Sequence, residues 1–147
     1  MSDSNPAPAT ELIYGLNDKP SAPQAFFAAL QHMMAIFVGI VTPPIIISGA
    51  LGLSVEQSSF VISMALFASG ISTFIQVRKF GPIGSGLLSI QGTSFTFLGS
   101  IIATGLAVKA GGGTIEAALA TIFGVCFLGS FVEMIFSRFI PLLRKII

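Results

Sequence analysis

Charge is missing from this sequence in long blocks, and that constrains the fold more than any motif. Between Lys19 and Glu56 the only ionisable side chain is His32, and between Lys79 and Lys109 there is none. Both gaps exceed the roughly 20 apolar residues that cross a bilayer as a helix. Only 9% of the residues are charged, against about 25% in a soluble domain. The lipid bilayer is therefore the expected partner of most of this chain.

Four apolar segments are predicted, at about 24–53, 57–77, 84–108 and 115–136, each bounded by charge or turn residues. Helix is the default for each, because backbone groups in hydrocarbon must find partners within their own segment. The expected fold class is an all-α polytopic membrane protein. Lys and Arg left in loops mark the cytoplasmic side. With four crossings, Lys19, Arg78, Lys79, Arg138, Arg144 and Lys145 fall on one side and Lys109 alone on the other. The N-terminus is thus expected in the cytoplasm. Residues 1–23 are polar and proline-bearing, without the basic flank and short apolar core of a cleavable signal. They are read as a cytoplasmic tail.

The segments differ in kind. In the second, Ala65, Ser69 and Thr73 form a stripe of small residues that lets another helix approach. In the first, Pro43 and Pro44 remove two backbone donors and should kink or interrupt the helix, either as a structural bend or as a break tied to substrate. The third is the odd one. It opens GPIGSG and continues LLSIQGTSFTFLGS, with Ser89, Gln91, Thr93, Ser94 and Thr96 crowded around Gly92. Glycine disfavours helix, and Thr and Phe favour extended backbone, so a short extended stretch is predicted to break this span. At membrane depth such a break is tolerated only inside protein or beside a cavity, and in transporters it marks substrate sites.

Two ionisable groups lie inside spans, His32 beside Gln31 in the first and Glu133 near the end of the fourth. Such groups are costly in lipid and usually face a bundle interior. His32 is read either as part of a polar network near a substrate or proton path or as an interhelix hydrogen bond. Glu133 is read as an anchor near Arg138 or as a functional carboxylate. One histidine and one cysteine leave no zinc-binding, dithiol or nucleophile-elbow motif, and no phosphate loop is present. An enzyme, a metal and a cofactor are not expected, and Cys126 reads as a small buried hydrophobe. A net charge of +1 without a basic run excludes a nucleic-acid partner.

The Gln31-His32 pair, ISMALFASGISTFIQ in the second segment and above all GPIGSGLLSIQGTSF in the third resemble bacterial xanthine permeases of the nucleobase-ascorbate (nucleobase/cation symporter) family. The tail sequence ELIYGLNDKP is also similar. The resemblance implies two inverted repeats of seven spans each, of which this chain would hold the first four spans, with purine bound between broken third and tenth spans. It implies proton-coupled symport of xanthine and, at full length, a homodimer. By position, Phe95 would border the purine with its amide and ring, Thr96 would shape selectivity, and His32 would support the site, with Gln31 and Ser94 beside them. Xanthine permeases matching this motif often carry Asn where this chain has Thr96, which makes uric acid a competing substrate. The sequence ends where a fifth span is expected, so it reads as a fragment. The competing reading is a small four-span structural or assembly subunit.

Overall fold

A computed structural model describes residue 14 and residues 18–143, with the backbone alone for 141–143. Most of the N-terminal tail, and Arg144 and Lys145 of the charge pattern, lie outside the described residues. Among the described residues four α-helices follow one another: α1 (Ala22–Leu51), α2 (Val55–Arg78), α3 (Leu98–Ala110) and α4 (Ile115–Leu143). A short 3-10 turn, Phe95–Phe97, leads into α3. Among the described residues there is no strand, only an isolated antiparallel bridge between Phe80 and Ile83.

Three helices, Ala22–Leu51, Val55–Arg78 and Ile115–Ile140, are long and apolar enough to cross a membrane. The expected third span is different. Its helical part is Phe95–Ala110, about 24 Å at 1.5 Å per residue, which falls short of a hydrocarbon core of about 30 Å. Residues 84–94, expected at the start of that span, are not helical.

The chain divides into two compact units, Met1–Ala35 and Ile36–Ile147. In the first, the start of α1 is capped by a polar cluster. Tyr14 Oη and Ser21 Oγ donate to Gln24 Oε1 at 2.8 and 2.7 Å, and the Ser21 amide donates to the same oxygen at 3.2 Å.

In the second unit the helix ends are closed locally. The α1 terminus turns through Gly52, with φ of 68°. The Leu53 amide then reaches back to the Ser48 carbonyl at 3.0 Å and the Gly52 amide to Gly49 at 3.3 Å, the paired bonds that close a helix on a left-handed residue. Ser54 caps α2 reciprocally with Gln57: Ser54 N donates to Gln57 Oε1 at 3.0 Å and Gln57 N to Ser54 Oγ at 3.2 Å. Gln57 Nε2 also donates to Glu116 Oε1 at 3.1 Å, tying the start of α2 to the start of α4.

Lys109, in the last turn of α3, donates from Nζ to the Leu51 carbonyl at 2.7 Å. That carbonyl lies at the negative end of α1, where a cation is favoured. Lys109→Met is expected to lower stability by about 1.5 kcal/mol, the low end for a charged hydrogen bond because Lys109 itself is exposed. The thermal midpoint of the full-length protein in detergent measures it. Below this tie lies the core, formed by Leu51 of α1, Gly105 of α3, and Ala118 and Ile122 of α4, all buried.

The proline pair does not interrupt α1, which runs through Pro43 and Pro44 as continuous helix. The carbonyls those prolines would have served are those of Gly39 and Ile40, four residues earlier. Both accept instead from the Thr93 hydroxyl, at 3.1 and 3.0 Å. The helix continues because its lost bonds are replaced from outside it.

Candidate functional site

Residues 79–94 leave α2, turn, and run back along it before α3 begins. Lys79 takes a φ of 53°, and the turn closes with Phe80 N donating to Ile83 O at 2.8 Å and Ile83 N to Phe80 O at 3.0 Å. Gly86 N then donates to Gln76 O at 3.0 Å, and Gln76 Nε2 donates to Ser85 Oγ at 2.7 Å. Further along, the backbone of Gln91 is held on both sides by α2. Ser69 Oγ donates to its carbonyl, and its amide donates to Thr73 Oγ1 at 2.9 Å. Backbone without a helical or sheet ladder must find such partners in a low-dielectric setting.

The small-residue stripe of α2 therefore does more than make room. Ser69 and Thr73, one turn apart on one helix face, present a donor and an acceptor, respectively, to the backbone carbonyl and amide of Gln91. Sequence reasoning read that stripe as packing alone. The signal available was that two of its three members are hydroxyl residues opposite a segment with backbone groups to satisfy.

Ser94 follows in extended conformation, with φ of −98° and ψ of 130°, and its Oγ accepts from Thr96 N at 3.3 Å as an N-cap. Phe95 is the first residue of the turn, and no described residue accepts from its amide. The residue is 54% exposed. Ser94, Phe95 and Thr96 thus stand together at the start of a short helix, where amide hydrogens point outward along a positive dipole end. The chemistry on offer is that of neutral hydrogen bonding beside an aromatic wall. Among the described residues no cluster of His, Cys, Asp or Glu could hold a metal.

Ser94 also lines a half-open cavity of about 680 Å³ bordered by the second half of α1, α2, the residues from Thr93 to Thr104, and α4. Its walls are mainly apolar, with Pro43, Pro44, Met64, Ile122 and Phe123 prominent, and Thr93, Ser130 and Glu133 supply polar points. Phe95 and Thr96 are not among its lining residues. Glu133 faces this cavity and forms no ion pair with a described residue, Arg138 included. Cys126, expected to be a buried hydrophobe, is exposed in the same wall.

Gln31 and His32 belong to the other compact unit, on exposed positions of α1. The His32 ring nitrogen Nδ1 lies 2.8 Å from the Ala28 carbonyl of its own helix. If Nδ1 carries the proton in that contact, Nε2 is left as the acceptor available to another group.

The model of the Permease family, Xan_ur_permease, matches residues 23–147. Xanthine permease XanP of Escherichia coli (strain K12) is 49% identical over 138 residues, covering 94% of this chain and 30% of the relative. Xanthine permease XanQ of the same organism is 44% identical over 147 residues, covering 100% of this chain and 31% of the relative. The uric acid-xanthine permease of Emericella nidulans is 36% identical over 97 residues, covering 62% of this chain and 17% of that protein. The chain therefore spans less than a third of the length of these relatives, which are named permeases and not enzymes. No solved structure matches it.

Proposed function

The chain belongs to the nucleobase-ascorbate transporter family of permeases, and from that membership we propose that the full-length protein carries xanthine, or a closely related oxidised purine, across the membrane by proton-coupled symport. The observation that carries this reading is the 49% identity to a xanthine permease over 94% of the chain, the broken third segment included. The amide of Phe95, without an acceptor among the described residues, pairs with a base carbonyl, and the Phe95 ring forms an apolar wall. Thr96 tunes selectivity, while Ser94, His32 and Gln31 support the site. The distribution of Lys and Arg favours a cytoplasmic N-terminal tail, residues 1–23, and family membership supports insertion in the inner membrane as the start of a larger transporter domain that pairs as a homodimer.

Competition uptake is the test: labelled xanthine against unlabelled xanthine, uric acid, hypoxanthine and uracil in cells making the full-length protein. Saturable uptake inhibited by xanthine or uric acid is expected. No saturable purine uptake from a well-inserted protein would overturn the reading. Collapse of uptake by a protonophore checks the coupling ion.

Thr96→Asn is expected to move preference toward xanthine over uric acid by about 3- to 10-fold, the effect of gaining or losing one hydrogen bond. Inhibition constants for the two bases, measured side by side, give the ratio. An unchanged ratio would remove Thr96 from the selectivity site and leave the family membership intact.

A further inference from the structure

Three hydroxyls hold the part of the chain that delivers Ser94 and Phe95 to their place. Two of them come from α2 and fix Gln91, as described above. The third is Thr93, among the described residues the only hydrogen-bonded link between this segment and α1, and it reaches two carbonyls at once. One hydroxyl proton shared between two acceptors is a three-centre bond. Both acceptors are orphans of the proline pair, so neither has a helical donor competing for it.

The approach is close as well as bonded. A side chain added at Gly92 would meet Ile40 Cγ1 at 3.1 Å, so the segment lies against α1 at the same turn whose carbonyl Thr93 engages. Position 91 is thereby anchored to one helix and position 93 to another. Ser94 and Phe95 come next in the chain, with no ladder of their own to place them.

We infer that Thr93 is a positioning residue for the substrate site: its hydroxyl sets where the start of the short helix, and with it the Phe95 amide, stands relative to the proline turn of α1. This rests on the purine-transport reading above. Without the hydroxyl, two buried-side carbonyls lose their donor and the segment loses its tether to α1. The helix start then shifts while the α2 anchors at Gln91 keep the segment folded.

The experiment uses the full-length protein with Thr93→Val, which keeps the shape and removes the hydroxyl, and Thr93→Ser, which keeps the hydroxyl. Uptake kinetics are read together with the amount of protein in the membrane. The expected result is a KM raised about 5- to 10-fold in the Val variant, from loss of binding geometry, with membrane content close to wild type. The Ser variant should stay within about twofold of wild-type KM. An unchanged KM in the Val variant, or a Ser variant as impaired as Val, overturns the inference. Thr93→Ala serves as the second hydroxyl-free variant if Val fails to accumulate. Failure of both to accumulate would mark the hydroxyl as a folding requirement and also overturn it. Absence of purine uptake by the wild type is a separate outcome that fails the transport reading and takes this inference with it.

Discussion

Gly84→Ala is expected to deplete the folded full-length protein sharply, lowering stability by roughly 3–5 kcal/mol. Two effects add. Gly84 has a φ of 87°, and an added Cβ would lie 2.6 Å from Ile75 O, 3.0 Å from Gln76 O and 3.1 Å from Lys79 Cα. All three atoms are backbone of the last turn of α2 and its exit, so no rotamer change relieves the contact. A loss of that size is a large share of the roughly 5–15 kcal/mol that holds a typical protein folded. Gly86→Ala is the control, because Gly86 has a φ of 76° but nothing within 4 Å of an added Cβ. It should cost about 1 kcal/mol from backbone conformation alone. Thermal midpoints in detergent separate the two, and equal losses would show that close approach to α2 is not what Gly84 serves.

Leu51→Ala and Gly105→Ala should each destabilise, and together do less harm than their sum. Leu51 is 1% exposed and fills the space that Gly105 leaves empty; a Cβ at position 105 would sit 2.6 and 2.9 Å from its two Cδ atoms and 3.0 Å from Ile122 Cδ1. Leu51→Ala opens a cavity between α1, α3 and α4, at a cost of about 2–5 kcal/mol. Gly105→Ala overpacks the same spot by about 1–3 kcal/mol, because a leucine this buried has nowhere to swing. In the double variant the new methyl enters the hole left by the leucine, so a favourable coupling of about 1 kcal/mol or more is expected. Strict additivity of the midpoint shifts would show that the two positions do not share one packing site. Helices in lipid gain little from excluding water, so contacts of this kind carry much of their association.

The long helices were legible because they are written in what is absent. Apolar runs bounded by charge or turn residues led to α1, α2 and α4, with starts within two residues of those observed and α4 running several residues beyond its expected end. Irregular backbone around Gly92 was legible from its crowd of polar neighbours, but it was expected as a break within a span, whereas residues 84–94 carry no helix and the helical part starts only at Phe95. What the sequence could not show was who answers whom. Pro43 and Pro44 announce two lost donors, but the replacement stands more than fifty positions later, at Thr93. For that reason a kink or an interruption was expected, and of the two the interruption is absent. Ser69 and Thr73 announce a shared helix face by their spacing, but not that a bare peptide lies opposite. For His32 both readings were open, and the contact with Ala28 engages one ring nitrogen while leaving the other for either role.

One property of the hydroxyl clamp reaches beyond geometry. Ser69, Thr73, Gln76, Ser85, Thr93 and Ser94, the side chains that hold or cap the broken segment, do not titrate in any range where the protein folds. Titration therefore has no direct handle on these hydrogen bonds. The proton dependence proposed for uptake would then have to enter through ionisable groups, such as Glu133 on the cavity that Thr93 and Ser94 also line.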